Sequence, residues 1–349
     1  MQDKKLKTCS LEDLLKRQFP PREYLLEPWL KARQQMMLYA PAGVGKSLFA
    51  WGVALAVAGA GKFGEQWTAP QPRKVLYVDG EMDMQDLAER AKQLGRHSEG
   101  DQGTAGKNLR LLARHDQFPD VEFPDLNDER QQQWLFEKVG EFQPELVVLD
   151  NFSVLCDIAD ENTSGSWNGI IKVLMSLHTR GIATILVHHS RKGDPSEDSF
   201  RGNSKINGAV DVTLRLDRRV EGDKAVGQGA AFTLHRTKYR QTPDPFTLPL
   251  HFSLMPFGWK IEEDQESIED QAVKLIKAGK FATQAQLAEH FGHQKAWASK
   301  LCERLRIFGK MTKDELATGF MRGKTLRSIE TAPESDFDAA DLENQEVKF

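Results

Sequence analysis

The residues best suited to chemistry form a short run near the start of the chain, Ala40-Pro41-Ala42-Gly43-Val44-Gly45-Lys46-Ser47. Glycines in such a loop permit backbone conformations and a close approach that a side chain would block. The loop amides and the N-terminus of a following helix supply partial positive charge to an anion. The run therefore predicts a phosphate-binding loop (P-loop), with Ala40 at a first position that usually holds glycine.

The sequence on either side of this loop has the order that the motif requires. Residues 36–39 are apolar enough for a buried strand, and residues 48–57 are rich in Ala, Leu and Val with helical spacing. We therefore predict that the loop and Leu48 after it bind a nucleotide. Lys46 is expected to reach the β- and γ-phosphates, and the Ser47 hydroxyl is expected to ligate Mg²⁺.

The composition limits what else the chain can be. Its 349 residues suit one large α/β domain and a smaller one, and its net charge is −4. The three cysteines, Cys9, Cys156 and Cys302, are far apart and lack metal-ligand spacing, which favours a reducing compartment. No signal peptide or membrane segment is recognisable, so we expect a soluble, cytoplasmic protein that does not bind a membrane.

Three further apolar runs predict strands, at residues 74–79, 146–150 and 182–187. Helical patterns lie between them, as in a mostly parallel, doubly wound α/β sheet. Each run is closed by polar residues. Because ligands of open α/β sheets bind at the carboxyl ends of the strands, the sequence predicts one active site at that edge.

Two carboxylates at strand ends have the positions that nucleotide hydrolysis needs. Asp150 closes an apolar strand and is expected to hold Mg²⁺, although such a residue can also cap a turn. Glu81 follows the strand after the P-loop helix, where a carboxylate can orient and deprotonate the attacking water. Asp79 and Asp83 flank Glu81 and remain alternatives for that role.

Two adjacent histidines, His188 and His189, follow the third predicted strand. Either ring can sense the γ-phosphate by hydrogen bonding, and the alternative is that both are packed polar residues. The sequence alone does not distinguish the two rings, and we include His189 in the nucleotide site. A zinc site needs more ligands than this pair offers.

Together these segments resemble the RecA/DnaB/KaiC-type ATPases, and most of all the hexameric replicative helicases of plasmid RepA type and their AAA_25-class relatives. The resemblance covers roughly residues 25–259 and rests on residues 40–47, 77–81, 146–150 and 187–193. It implies a RecA-like core that hydrolyses ATP with Mg²⁺ between the subunits of a homo-oligomeric, hexameric ring. It also implies that Glu81 is the catalytic base and that single-stranded DNA lies in a central channel.

The loop at residues 190–203 occupies the place of the family's DNA-binding loop. Its basic residues Arg191, Lys192 and Arg201, with nearby glycine and proline, suit contact with phosphates. The alternative is an ordinary solvated loop.

A second basic group ends a late predicted strand, at residues 234–240. There Lys238 and Arg240 resemble the family's Lys-x-Arg finger, a pair of cations that one subunit supplies to the γ-phosphate bound by its neighbour. The alternation of a strand places both side chains on one face. Arg201 and Arg215 compete for the role, and a plain surface strand is the alternative.

The sequence changes character after about residue 260. Helical patterns cover residues 267–278, 284–291 and 294–308, and residues 320–329 are expected to form a hairpin wing. Residues 271–328 include twelve basic residues and only four acidic ones. The expected DNA-binding residues of this winged-helix-like module are Lys295, Lys300 and Arg304. The alternative is a three-helix interaction domain with a solvated basic face. The expected partner of this module is duplex DNA or a replication protein.

The sequence thus predicts four segments. They are an N-terminal segment (1–24), a RecA-like ATPase core (25–260), a winged-helix-like domain (266–330) and an acidic disordered tail (331–349). Two functions remain: a motor that moves on or remodels single-stranded DNA in a plasmid, phage or mobile element, and an ATP-switched DNA-binding regulator or recombination accessory protein with slow turnover. Glu81 and the finger pair favour the motor, and the C-terminal module favours the switch.

Overall fold

A computed structural model describes residues 6–95, 100–157, 167–190, 204–221, 224–225, 230–240, 249–255, 258–263, 268–307 and 310–330. The chain divides into two compact units, Met1–Glu263 and Asp264–Phe349. The predicted α/β class with a large, mostly parallel sheet is confirmed. None of the described helices is long and apolar enough to cross a membrane.

The first unit alternates strands with helices along most of its length. Its strands are β1 (Tyr24–Leu26), β2 (Leu30–Lys31), β3 (Gln35–Ala40), β4 (Lys62–Phe63), β5 (Trp67–Thr68), β6 (Val75–Asp79), β7 (Leu109–Ala113), β8 (Leu146–Asp150), β9 (Ala183–His189), β10 (Val212–Arg218), β11 (Val220–Glu221), β12 (Lys224–Ala225), β13 (Ala231–Tyr239), β14 (Leu250–Met255) and β15 (Gly258–Glu263). Its helices are α1 (Leu11–Lys16), α2 (Lys46–Gly59), α3 (Met84–Gly95), α4 (Gln102–Asn108), α5 (Gln132–Phe142), α6 (Phe152–Leu155), α7 (Asn168–Thr179) and α8 (Ser204–Ala209). A 3₁₀ turn covers Arg114–Asp116.

Nine of these strands form one sheet in the order β15-β14-β13-β10-β3-β9-β8-β6-β7. The strands from β10 to β7 are parallel, whereas β13, β14 and β15 extend the sheet as antiparallel neighbours. Every residue of β3, β6 and β8 is buried, because helices cover both faces of the parallel part. Such strands have continuous apolar sequences, and for that reason their runs were recognisable.

Helix α2 packs on one face of the sheet, and helices α5, α7 and α8 pack on the other. Almost all of α2 is buried, including the aromatic ring of Phe49, which packs edge-on against Phe63 and Phe252. A helix that is apolar on all sides is stable only when surrounded by protein. The P-loop that precedes α2 is therefore anchored at both ends, by β3 and by a fully enclosed helix.

The second unit consists, in its described residues, of helices α9 (Ile268–Lys277), α10 (Gln284–His290), α11 (Lys295–Ile307) and α12 (Lys313–Glu330). The first three lie where the sequence predicted helices. They bury a small core around Ile276, Leu287 and Leu301. The expected acidic tail lies outside the described residues.

The hairpin wing predicted for residues 320–329 is wrong, since these residues continue α12. The helix begins with a reciprocal cap in which the Thr312 hydroxyl accepts from the Glu315 amide, and the Glu315 carboxylate accepts from the Thr312 amide. Its glycines permit close packing rather than a turn. A Cβ on Gly323 would lie 2.2 Å from the carbonyl oxygen of Phe281.

Candidate active site

The carboxyl ends of four parallel strands bring the predicted site residues to one edge of the sheet. In the ladder, Ala40 on β3 is opposite His189 on β9, and Asp79 on β6 is opposite Asp150 on β8. Because β3, β9, β8 and β6 are neighbours in that order, the P-loop, the histidine and the carboxylates lie next to each other. The structure thus assembles these residues at the edge where the sequence placed them.

The P-loop has the backbone that a phosphate cradle needs. Gly43 and Gly45 have φ angles of +73° and +118°, which side-chain-bearing residues rarely adopt. Helix α2 begins directly after Gly45, and no side chain caps its first amides. These N–H groups and the helix dipole favour an anion at this end of the helix.

Lys46 is held by protein groups around the loop. Its ammonium donates to the carbonyl oxygens of Ala40 and Pro41 at 2.8 and 2.9 Å, and its Nζ lies 3.0 Å from Nδ1 of His189. Only 4% of the residue is exposed. Burial lowers the pKa of Lys46 to about 8, against the opposing effect of the Asp150 and Glu81 charges.

Asp150 is a buried carboxylate with two hydroxyl partners. The Tyr77 hydroxyl donates to its Oδ2 at 2.6 Å, and the Ser47 side chain also hydrogen-bonds to it. Burial raises the pKa of Asp150 to about 6, and the nearby charge of Asp79 adds to that rise. Ser47 and Asp150 are oxygen donors, which suits a hard cation such as Mg²⁺.

The two alternatives to Glu81 are both engaged with the backbone of the turn. Oδ1 of Asp79 accepts from the amides of Glu81 and Met82 at 2.9 and 2.7 Å, and burial raises the pKa of Asp79. Oδ1 of Asp83 accepts from the Gln85 amide at 2.8 Å, at the start of α3. Asp79 and Asp83 thus shape the turn that presents Glu81, whose side chain is 61% exposed.

Asn151 connects Glu81 to the P-loop side of the site. Its Nδ2 donates to Oε2 of Glu81 at 2.5 Å and lies 3.0 Å from Nε2 of His189. The other nitrogen of that ring contacts Lys46. These four residues form a connected chain from the P-loop ammonium to the carboxylate, which we call the Lys46–Glu81 relay. Asn151 was not selected from the sequence, and its position beside Asp150 is the signal that identifies it.

The structure separates the two histidines that the sequence could not distinguish. His188 is buried and packs edge-on against the rings of Phe152 and Trp167, with centroids 5.4 and 5.2 Å apart. Burial lowers the pKa of His188 to about 3, so this ring is neutral at physiological pH. His189 takes part in the relay instead, because successive strand residues point to opposite faces.

Lys238 and Arg240 lie at the opposite edge of the same sheet. The Lys238 ammonium donates to the carbonyl oxygen of Val210 at 2.7 Å and to that of Asn207. Arg240 donates to the Gly208 carbonyl at 2.5 Å. Val212 pairs with both Tyr239 and Met36, so this region adjoins the amino end of β3, roughly 17 Å of strand from the P-loop. One subunit therefore does not bring the pair to its own P-loop.

The competing arginine Arg215 is partly buried and binds Oδ2 of Asp217 on the same strand at 2.8 Å. Arg191, Lys192 and Arg201 lie outside the described residues. In the second unit, Lys295 and Lys300 are exposed on α11, while Arg304 forms an ion pair with Glu269 at 2.9 Å. Because Glu269 balances its charge, Arg304 is less suited than the two lysines to bind a phosphate.

Comparisons with known proteins agree with this architecture. The sequence profile of the AAA_25 family, an AAA domain, matches residues 2–195, which is more than half of the chain. The solved structure of a KaiC-like protein from the hyperthermophilic archaeon Pyrococcus horikoshii is similar in fold, with a TM-score of 0.50 and 16% sequence identity. The match covers 70% of this chain and 96% of that one. No curated protein matches the chain. The RecA-type fold predicted from the sequence is confirmed.

Proposed function

The chain belongs to the AAA_25 family of AAA-domain ATPases, and from this premise we propose that it is a ring-forming motor that hydrolyses ATP and acts on single-stranded DNA. The substrate is ATP bound by the P-loop, and the reaction is attack of water on the γ-phosphate. The motor is a replicative helicase or a DNA-remodelling ATPase of a plasmid, phage or mobile element. Its subunits form a homo-oligomeric, hexameric ring.

The observation that carries this proposal is the Lys46–Glu81 relay. A protein that only binds ATP needs the P-loop, but it has no need of a path from the phosphate-binding ammonium to a carboxylate. Here His189 contacts Lys46 through one ring nitrogen and Asn151 through the other, and Asn151 holds Glu81. A phosphate that draws Lys46 away from His189 thereby changes the contacts that position the catalytic base.

Each residue of the site then has one task. The loop amides and Lys46 bind the β- and γ-phosphates, and His189 senses the γ-phosphate. Glu81, whose side chain is mostly exposed, takes the proton from the attacking water. Ser47 and Asp150 would hold Mg²⁺, which neutralises phosphate charge when bound. The pKa of about 6 for Asp150 leaves its carboxylate mostly ionised above neutral pH, the form that binds a cation.

The ring supplies what a single subunit lacks. Lys238 and Arg240 are directed to the sheet edge away from their own P-loop, and we propose that they reach the γ-phosphate bound by the next subunit. Arg191, Lys192 and Arg201 are proposed to contact single-stranded DNA in the central channel. A positively charged loop that follows a phosphate backbone is a common means of holding single strands.

The test is ATP turnover with and without single-stranded DNA, combined with a strand-displacement assay. We expect DNA to stimulate turnover. Glu81→Gln should keep ATP binding and lose hydrolysis, since an amide can hydrogen-bond to water but cannot accept its proton. The matched control is Asp83→Asn, two residues away on the same turn, which should hydrolyse ATP within about threefold of wild type. Normal turnover by Glu81→Gln would remove the proposed base, and turnover without any response to DNA would remove the motor.

A second candidate, the ATP-switched DNA-binding regulator, is favoured by the pair α10 and α11. These two helices are joined by a short turn at Gly292, whose φ angle is +72°. Lys295 and Lys300 are exposed on the second helix. Two helices joined by a tight turn, with basic residues on the second, are the arrangement that places a helix on duplex DNA.

This second candidate is tested by removing the second unit, residues 264–349, and measuring duplex affinity at several salt concentrations. If α11 binds phosphates, the truncated protein should bind duplex more weakly and with a smaller salt dependence, while DNA-stimulated ATPase persists. The matched comparison is the full chain with Lys295 and Lys300 changed to alanine. Unchanged duplex affinity in both proteins would leave a protein partner as the ligand of this unit.

A further inference from the structure

We propose that Arg218 is a positioning residue of the nucleotide site, which holds the P-loop in its binding conformation from outside the loop. The proposal rests on the proposed function, since it concerns the loop that binds ATP. Arg218 is the last residue of β10 and lies 175 residues along the chain from Gly43. Arg218 belongs to none of the motifs that we identified in the sequence.

Strand β10 brings the arginine to the loop. In the sheet, β10 is the neighbour of β3 on the side away from β9, and it runs parallel to β3. It therefore ends at the same edge as the strand that leads into the P-loop. Leu214 and Leu216, at alternate positions before Arg218, are buried in the cluster around α2. By this alternation the Arg218 side chain leaves the strand on the face that carries α2 and the P-loop.

The contact itself is a charge-assisted hydrogen bond. Nη2 of Arg218 donates to the carbonyl oxygen of Gly43 at 3.0 Å. A Cβ on Gly43 would lie 3.2 Å from the same Nη2, so the guanidinium closes over the loop at the point where its backbone has a positive φ. Fixing this carbonyl toward Arg218 orients the peptide group that follows, whose N–H belongs to the phosphate cradle.

Gly45, the second glycine of the loop, packs against the start of β13, the strand that pairs with β10. A Cβ on Gly45 would lie 2.9 Å from Cβ of Ala230 and 3.3 Å from the ring of Phe232 on β13. Arg218 and Phe232 are themselves partners in the ladder between β10 and β13. Both P-loop glycines are thus packed against one pair of strands, and Arg218 provides the polar contact of that support.

This position predicts which step depends on Arg218. ATP and ADP both place a β-phosphate in the loop, so loss of the support should weaken the binding of both to the same extent. Arg218 contacts the Gly43 carbonyl, whereas the residues proposed to act on the γ-phosphate and the water, His189 and Glu81, contact Lys46 and Asn151. The rate of hydrolysis at saturating ATP should therefore stay unchanged, and KM should rise.

The chain offers a matched control in the next residue. Arg219 has the same side chain and charge, but it is directed to the other face, where its Nη1 lies 3.7 Å from Oε2 of Glu262 on β15. If only the positive charge near the site matters, removing either arginine should weaken nucleotide binding equally. If the hydrogen bond to the Gly43 carbonyl matters, only the removal of Arg218 should weaken nucleotide binding.

The experiment is calorimetric titration of the full chain with Mg²⁺-ADP and with a non-hydrolysable Mg²⁺-ATP analogue, together with steady-state ATPase kinetics. We expect Arg218→Ala to weaken both affinities about tenfold, the effect of one hydrogen bond to a charged group. KM should rise by a similar factor with kcat within twofold of wild type. Arg219→Ala should change affinity less than twofold, and Arg218→Lys should restore most of the loss because it keeps a charged donor. Arg218→Gln serves if the alanine variant does not fold.

The outcomes separate the two proposals. If wild-type protein binds neither nucleotide, the proposed function fails. If wild type binds and Arg218→Ala binds equally well, the proposed function stands and the role of Arg218 is overturned. A loss confined to the ATP analogue also overturns it, since that result indicates contact with the γ-phosphate rather than support of the loop. Equal losses in Arg218→Ala and Arg219→Ala overturn it in favour of a general charge effect.

Discussion

Two edges of one sheet each hold a lysine that donates to backbone carbonyl groups, yet the two sites differ in what surrounds them. At the carboxyl edge, Lys46 binds the carbonyls of Ala40 and Pro41. At the amino edge, Lys238 binds those of Val210 and Asn207. Hydrogen bonds to carbonyl groups therefore do not distinguish a nucleotide-binding lysine from any other lysine near a helix or strand end.

The neighbouring charges make the difference. Lys46 lies near the carboxylates of Asp150 and Glu81, which oppose the effect of burial on its pKa. Lys238 lies near Arg240, and burial together with this like charge lowers the pKa of Lys238. The single carboxylate of Asp211 opposes that shift and lies 3.5 Å from Nη1 of Arg240. Two cations side by side repel each other within one subunit. Asp211 balances only one of these two positive charges, and a phosphate from a neighbouring subunit would balance the other, which is why we assign opposite partners to the two edges.

The largest expected effect is that of Lys46→Ala, which should abolish detectable nucleotide binding. The change removes the phosphate-binding charge from the loop and leaves the surrounding core residues in place. Calorimetry with Mg²⁺-ADP measures the loss, and circular dichroism verifies that the fold is kept. Lys238→Ala, at the other edge, is the matched control and should bind nucleotide as wild type does. Similar binding by both variants would mean that the two edges do not differ in this respect.

The next effect is that of Arg240→Ala, which should slow hydrolysis on the order of a thousandfold with little change in nucleotide affinity. The reason is that a cation supplied by a neighbour acts on the transition state and not on the bound nucleotide. Mixing this variant with Glu81→Gln should restore part of the activity, through interfaces that contain both wild-type residues. If mixed rings form and no activity returns, the two residues do not meet across an interface.

A smaller effect is expected from pH. Lys46 has a pKa of about 8, lowered from 10.5, and only the ammonium form binds phosphate well. Above about pH 8 binding must therefore take up a proton, and affinity should fall by up to tenfold per pH unit. Below that pH Lys46 is already protonated, so its titration should no longer change the affinity. Titrations of ADP at constant ionic strength measure the profile, and a flat profile above pH 8 would contradict the assignment.

The smallest effect concerns stability at the other edge. Lys238→Met should lower the free energy of unfolding by about 1 kcal/mol, because carbonyl groups near the end of α8 lose a charged donor. Removal of the repulsion with Arg240 partly offsets the loss. Urea denaturation measures the change, with Arg236→Met on the same strand as a control. An increase in stability would show that the repulsion between Lys238 and Arg240 is the larger of the two contributions.

Much of the site was predictable because its residues are close in sequence to the elements that carry them. The P-loop contains its own glycines, and Asp150 ends a strand that is buried on both faces and therefore apolar throughout. The helical structure of residues 320–329, where the sequence predicted a wing, was not predictable in the same way. Gly319 and Gly323 are residues typical of a turn, but Ile276 of α9 and the backbone of the turn after α9 leave no room for a side chain at these two points of α12. A glycine in a sequence does not reveal whether it serves a turn or a close contact.

The amino-acid sequence by itself determined the phosphate loop, the buried strands and the edge at which their polar residues collect. These features depend on local backbone chemistry and on the periodicity of burial, which a sequence records directly. Only the tertiary structure decided that His189 rather than His188 faces Lys46, that Asn151 holds Glu81, and that Arg218 supports Gly43. Such contacts join residues from different strands, and the order and register of those strands are set by packing of the whole sheet.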